Sequence, residues 1–231
     1  MSLAKAFFLV ASSAFYTVAI TPPQPRVLSN AVYKGQAYEY IVRYIAYTAG
    51  VMMMTVSFLH AFLLAYPGVQ SLPVTPLICP ATPSQAHLAT FSASFIAGVA
   101  ILSSGAFIRL WSYHTLGSLF TFEVVVKDDH KLITAGPYGY ARHPSYTGMI
   151  LLTIGAYFMY FGTGGYVAEC GIEGTPALAV LGWSWRISSV FGFVSLYRRC
   201  SVEDTKLKTH FGGEWLKYRE EVPYALVPYI L

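Results

Sequence analysis

Apolar residues in this chain come in long runs, not in alternation. Residues 3–20 form the first run and hold one charge, Lys5. A second covers about 40–65 and is rich in Tyr, Met and Phe, and a third covers about 88–111 and ends on Arg109-Leu-Trp. Two more occupy about 145–162 and 175–197, joined by a glycine-rich turn at Gly162–Gly174. About 20 apolar residues suffice for a helix to cross the hydrocarbon core, so the pattern predicts five membrane spans and an all-α integral membrane protein. The interruptions differ in kind. Residues 67–87 carry five prolines and no Asp, Glu, Lys or Arg, which predicts a loop. Residues 201–221 are polar, with Leu207, Phe211, Trp215 and Tyr218 at helical spacing, which predicts an amphipathic helix broken at Gly212-Gly213. The intervening stretch, His130 to Gly148, is polar, turn-rich and aromatic.

Composition agrees with the pattern. Only 11% of the 231 residues are charged, where soluble domains average about 25%. The net charge of +4 comes from too few residues to point to nucleic acid. Lys and Arg placement sets an orientation instead. Loop 21–39 holds Arg26 and Lys34, with Arg43 just inside the second span. Segment 112–144 holds Lys127, Lys131 and Arg142, and the tail holds Arg198, Arg199, Lys206, Lys208, Lys217 and Arg219. Loops 67–87 and 162–174 hold no basic residue apart from His87. The alternation predicts an N-terminus outside or in the lumen and both polar blocks in the cytosol. It argues against reading the first run as a signal peptide, whose cleavage would put the basic first loop in the lumen.

Three cysteines, Cys79, Cys170 and Cys200, show neither a Cys-x-x-Cys pair nor zinc-ligand spacing. A disulfide between Cys79 and Cys170 is an alternative to free thiols, and the sequence favours the thiols. Cys200, after Arg198-Arg199, suits palmitoylation weakly and reads first as a free thiol. His60, His87, His114 and His210 have no ligand spacing and read as surface or packing residues, and no metal is expected. Arg186, between Trp185 and Ile187, is costly within a span, so it is expected to snorkel, to pair, or to border a site.

Two blocks carry candidate chemistry. In the first, Gly136-Pro137 and Gly139 form a turn, and Pro144 opens a helix whose free N–H groups, beside Arg142 and His143, favour an anion. An ordinary helix start with interfacial anchors explains the same residues. In the second, Arg199 and Glu203 stand at i and i+4 on one helix face, with Asp204 adjacent, an arrangement that by itself also describes a solvated ion pair.

Together the two blocks read Gly-Pro-Tyr-x-x-x-Arg-His-Pro-x-Tyr-x-Gly and then Arg-x-x-x-Glu-Asp-x-x-Leu-x-x-x-Phe-Gly-x-Glu-Trp-x-x-Tyr-x-x-x-Val-Pro. In that order, between apolar spans, they resemble the isoprenylcysteine carboxyl methyltransferase family and its phospholipid methyltransferase relatives, over roughly residues 105–231. The resemblance implies three N-terminal spans in residues 1–111 and a catalytic region in 112–231. It implies S-adenosylmethionine as methyl donor and, as acceptor, the C-terminal carboxylate of a prenylated protein or a prenylcysteine small molecule. It also implies an endoplasmic reticulum membrane with a cytosol-facing site. Cofactor contacts fall on His130, Lys131, Leu132, Ile133, Tyr138, His143, Pro144, Ser145, Tyr146 and Glu203, and the substrate-contacting arginine on Arg199, so that Arg199 and Glu203 carry the chemistry. Glu123 stands where the family often has Gln, and Glu203-Asp204 where it has Glu-Glu.

The residues suit this chemistry. An α-carboxylate is ionised at neutral pH and needs no base, so the site has to position and desolvate two reactants. Arg199 fits a carboxylate through its planar fork. Tyr138 and Tyr146 offer aromatic faces to a sulfonium. Phe, Met and Trp of the second, third and fifth spans are available to line a cavity for the prenyl chain. The alternative enzyme reading is methylation of a lipid amine such as phosphatidylethanolamine, which would require a base. A non-catalytic membrane protein is the alternative of another class, and it gives the two blocks no reason to converge.

Overall fold

The computed structural model describes residues 2–25, 32–66, 68, 72–125 and 131–230. Among the described residues five helices are long and apolar enough to cross a membrane: α1 (Ser2–Ile20), α2 (Tyr38–Ala65), α3 (Ala93–Leu116), α4 (Pro144–Phe161) and α5 (Pro176–Phe211). A further helix, α6 (Gly213–Glu221), follows α5, and no strand occurs among the described residues. The five expected spans are all present. Their starts follow local rules: Ser92 caps α3 by accepting from Phe95 N, and Pro144 and Pro176 occupy the first turns of α4 and α5.

The closest pairing is α3 against α4, and small residues make it. A Cβ at Gly105 would lie 2.7 Å from Gly148 O, and one at Gly155 only 2.4 Å from Leu102 N. Gly98 and Gly105 therefore face Gly155 and Gly148 with the two backbones nearly touching, as membrane helices pack when lipid supplies no hydrophobic drive. This contact brings Arg109, near the end of α3, to Ser145 at the start of α4.

The sequence separates the fifth span from the polar tail, whereas the structure joins them. α5 runs unbroken for 36 residues, about 54 Å at 1.5 Å per residue, against a hydrocarbon core of about 30 Å. The polar block lacks any helix breaker until Gly212, where φ of +55° ends the helix. Arg199, Glu203 and Asp204 thus ride on a rigid extension of a membrane span.

At the opposite end, Cys79 and Cys170 form a disulfide, with Cα atoms 4.5 Å apart. This corrects the expectation of free thiols. The partners lie 91 residues apart in sequence, and only the antiparallel course of the helices places their loops side by side. Lys5 donates from Nζ to Leu88 O at 2.8 Å, Thr90 O at 2.7 Å and Gly164 O at 2.7 Å, tying α1 to both loops. Those loops and the N-terminal end of α1 therefore share one end of the bundle, as five alternating spans require. Arg186 pairs with Glu173 and stacks over Phe161, 4.4 Å from the ring centre. Cys200 is a buried free thiol, which leaves no exposed sulfur for a lipid chain.

Candidate functional site

The two polar blocks converge at the other end of the bundle. His143, the residue before α4, stands between two carboxylates of α5: its Nδ1 lies 3.3 Å from Glu203 Oε2 and its Nε2 lies 3.0 Å from Asp204 Oδ1. Only an imidazolium donates from both nitrogens. Burial opposes that charge, but hydrogen bonds to Asp204 and Glu203 and their charges outweigh it and push the imidazole up to about 9. The Tyr146 hydroxyl donates to Glu203, and its ring stacks on His143 with centroids 5.7 Å apart. Arg142 holds Asp204 Oδ2 from Nη2 at 3.1 Å. Asp204, where the family has Glu, thus serves as the shared anchor of Arg142 and His143.

Arg199 is buried at the same place. Its Nη2 donates to Phe122 O at 2.5 Å, and the guanidinium lies 5.8 Å from the Tyr38 ring centre and 5.7 Å from that of Tyr146. The helical i, i+4 contact to Glu203 is the longer of its two ion pairs, at 3.9 Å. The nearer carboxylate belongs to Glu39 of α2, with Oε1 3.3 Å from Arg199 Nε.

Arg142, His143, Tyr146, Arg199 and Glu203 line a cavity of about 150 Å³. Of the residues singled out from the sequence, Lys131, Leu132, Ile133, Tyr138, His143, Ser145, Tyr146, Arg199 and Glu203 line it. Pro144 is buried at the first position of α4. His130 lies outside the described residues. The Tyr138 phenol is pushed above its usual range by burial. Glu123 also lines the cavity, but Arg43 Nε holds its Oε1 at 2.8 Å, so an acid at the family's Gln position comes with its own cation.

The two residues ahead of α4 are tied down by the C-terminal segment: Arg142 N donates to Tyr224 O at 3.0 Å and His143 N to Ala225 O at 2.8 Å. Residues 222–226 fold back over this helix start as a strap, and Thr147 Oγ1 holds Leu226 O at 2.6 Å. Pro and Tyr after an amphipathic helix give no hint of that return.

The structure adds residues the sequence did not single out. Arg109 lines the cavity and donates from Nε to Ala19 O at 2.6 Å and from Nη1 to Ser145 Oγ at 2.8 Å. The rule that a charge at membrane depth marks a site, applied above to Arg186, finds Arg109 as well. Glu39 and the Arg43–Glu123 pair had no such signal, because their partners are about 80 residues or more away.

A second cavity of about 70 Å³ adjoins the first and shares Tyr38, Val42, Met149 and Leu196 with it. Its remaining wall is mostly apolar and includes Tyr16, Ile45, Trp185 and Phe193. The wall comes from α1, α2, α4 and α5. The third span, expected to contribute, does not, because its glycine face is spent on α4.

Fold and site define a polytopic helical membrane protein with an ion-paired polar cavity at one end, adjoining an apolar one among the spans. Residues 98–170 match the sequence profile of the isoprenylcysteine carboxyl methyltransferase (ICMT) family. The chain is 27% identical over 135 residues to protein-S-isoprenylcysteine O-methyltransferase B of Arabidopsis thaliana, covering 58% of each chain. It is 32% identical over 136 residues to the Rattus norvegicus protein-S-isoprenylcysteine O-methyltransferase, covering 58% of this chain and 41% of the relative. Against the Homo sapiens protein of the same name the identity is 31% over 137 residues, with the same shares. The matched part thus spans about half the length of these relatives. No solved structure matches the chain. The family resemblance read from the two motifs is borne out.

Proposed function

We propose that this protein methylates the C-terminal carboxylate of prenylated cysteine with S-adenosylmethionine as donor, residues 112–231 forming the catalytic region and 1–111 most of the lipid-facing one. The observation that carries the reading is the junction of the two cavities. A buried arginine, Arg199, lines a chamber with charged walls suited to a cofactor, and that chamber shares Tyr38, Val42, Met149 and Leu196 with an apolar chamber suited to a prenyl chain. The names of the relatives support the acceptor.

The residues present fit the cofactor. Glu203, Tyr138 and Tyr146 offer a carboxylate and two aromatic faces to a ligand that carries a cation, hydroxyls and an adenine. Lys131 offers a charge for its carboxylate. When bound, S-adenosylmethionine supplies an electrophilic methyl group. The chain's own residues do the rest. Arg199 holds the acceptor carboxylate, already ionised at neutral pH, so no base is needed. Burial excludes water and strengthens each charge contact. His143, clamped by Glu203 and Asp204, locks the α5 extension to the start of α4 and so fixes the distance between Arg199 and the cofactor residues. On this reading the site faces the cytosol of an endoplasmic reticulum membrane, as the Lys and Arg placement expects.

The test is methyl transfer by the purified protein in lipid nanodiscs, with radiolabelled S-adenosylmethionine. N-acetyl-S-farnesylcysteine and phosphatidylethanolamine are offered as separate acceptors. Base-labile methyl ester formation on the first alone is the expected result. Transfer to the amine alone would overturn the acceptor, and failure to bind S-adenosylmethionine would overturn the reading.

A further inference from the structure

Glu39 has no part in the chemistry derived so far, and its surroundings are unusual. It sits in the first turn of α2, a span outside the region of family resemblance, with its side chain 3% exposed. Neither carboxylate oxygen accepts a hydrogen bond, and the nearest cationic atom, Arg199 Nε at 3.3 Å, is likewise without a hydrogen-bond partner. A buried carboxylate without donors is costly, and what offsets the cost here is the charge of Arg199. Arg199 faces the polar cavity, while Glu39 stands behind it, off the cavity wall.

We infer that Glu39 is a positioning residue that sets how tightly Arg199 grips the acceptor carboxylate. This role rests on the proposed function. Arg199 is held on one side by Phe122 O through Nη2 and flanked by the Tyr38 and Tyr146 rings, so the guanidinium has little freedom to swing toward a ligand. Its charge is shared with Glu39 and, further off, Glu203. An entering carboxylate therefore meets a partly neutralised cation and is held loosely. That matters because the acceptor's negative charge is used up as its oxygen takes the methyl group. A grip that favours the full charge of the ground state over the dispersed charge of the transition state slows the step. A bare arginine would bind the acid well and methylate it slowly. Glu39 trades affinity for turnover.

Glu39→Gln keeps the shape and removes the charge. The readouts are binding of N-acetyl-S-farnesylcysteine and of its methyl ester by calorimetry, with S-adenosylhomocysteine present, together with kcat and KM. The expected result is that E39Q binds the acid tighter by about tenfold, binds the ester unchanged, and shows KM and kcat lowered together by about the same factor. A merely structural role predicts weaker or parallel binding of acid and ester, or a raised KM, and either result overturns the proposal, as does no change. Should E39Q fail to bind the ester, Glu39→Asp is read in its place. Its carboxylate is withdrawn by one methylene, so the acid-to-ester preference should rise and kcat fall by less than in E39Q, and an unmoved preference overturns the role. Wild-type protein that transfers no methyl group to the prenylcysteine removes the function and this role together. Wild-type activity with an unmoved E39Q removes only the role.

Discussion

The two ends of this bundle solve the same problem, buried charge, in opposite ways. At one end Lys5 carries three donors, and each finds a carbonyl: those of Leu88, Thr90 and Gly164. Glu169 accepts from Gly164 N at 2.7 Å, the Cys79–Cys170 disulfide closes the loops, and among the described residues there only His60 Nδ1 lacks a partner. At the other end the buried atoms without hydrogen bonds among the described residues are Gln36 Nε2, both Glu39 oxygens, Arg199 Nε and Trp215 Nε1. Unmatched polar atoms cost stability, and an end built only to hold helices together has no reason to keep them. The contrast separates a fastening from a recognition site without reference to any relative.

Variants at each end should break the comparison in different observables. The largest effect is expected from Arg199→Ala, which on the proposed reading removes the cation that holds the acceptor carboxylate. Methyl transfer should fall about a thousandfold, while calorimetric affinity for S-adenosylhomocysteine stays within about threefold. Cofactor binding lost with lipid turnover kept would reverse the assignment. Next comes Lys5→Met, which leaves the carbonyls of Thr90 and Gly164 without their donor at about 1–3 kcal/mol each, while Leu88 O keeps His60 Nε2 at 3.1 Å. Thermal unfolding in nanodiscs should shift down by the equivalent of about 4 kcal/mol, with cofactor affinity of the folded protein unchanged. A change in affinity would mean that the fastened end also tunes the site. Smaller again are Glu203→Ala and His143→Ala. Each removes one side of a charge-assisted contact and should weaken cofactor binding about tenfold. Calorimetry that shows no change in either variant would take both residues out of the cofactor site.

Much of this was legible in the sequence because it is local. Span positions follow from apolar run length, and the placement of both polar blocks at one end follows from the alternation of Lys and Arg between loops. The i, i+4 spacing of Arg199 and Glu203 correctly puts them on one helix face. What the sequence concealed is long-range. The Cys79–Cys170 bridge, the Lys5 clamp, the Arg109–Ala19 contact and the Glu39–Arg199 pair join residues 83 to 160 positions apart, and no periodicity encodes such partners. The continuity of α5 was missed for a different reason. A change from apolar to polar residues reads as a boundary, although it marks only where the helix leaves the membrane.

The smallest expected effect probes the charge state on which the site end depends. His143 is flanked by Asp204 and Glu203, stacked on Tyr146 and followed across Asp204 by Arg142, and its imidazole is held up at about 9 against about 6.5 for a free one. A raised histidine pKa stabilises the folded state in full below about pH 6.5, and the contribution declines as pH rises and is gone once pH passes about 9. Between pH 7 and pH 9 the protein should therefore lose about 1 kcal/mol per pH unit of unfolding stability. In the same window cofactor affinity should fall, because a neutral imidazole can donate to Asp204 or to Glu203 but not to both, and the freed carboxylate no longer fixes the α5 extension against α4. His143→Ala should be less stable at pH 7 and should lack this slope. A wild-type profile that is flat from pH 6.5 to 9.5, or one whose slope survives in H143A, would show that the clamp is not held by the imidazolium.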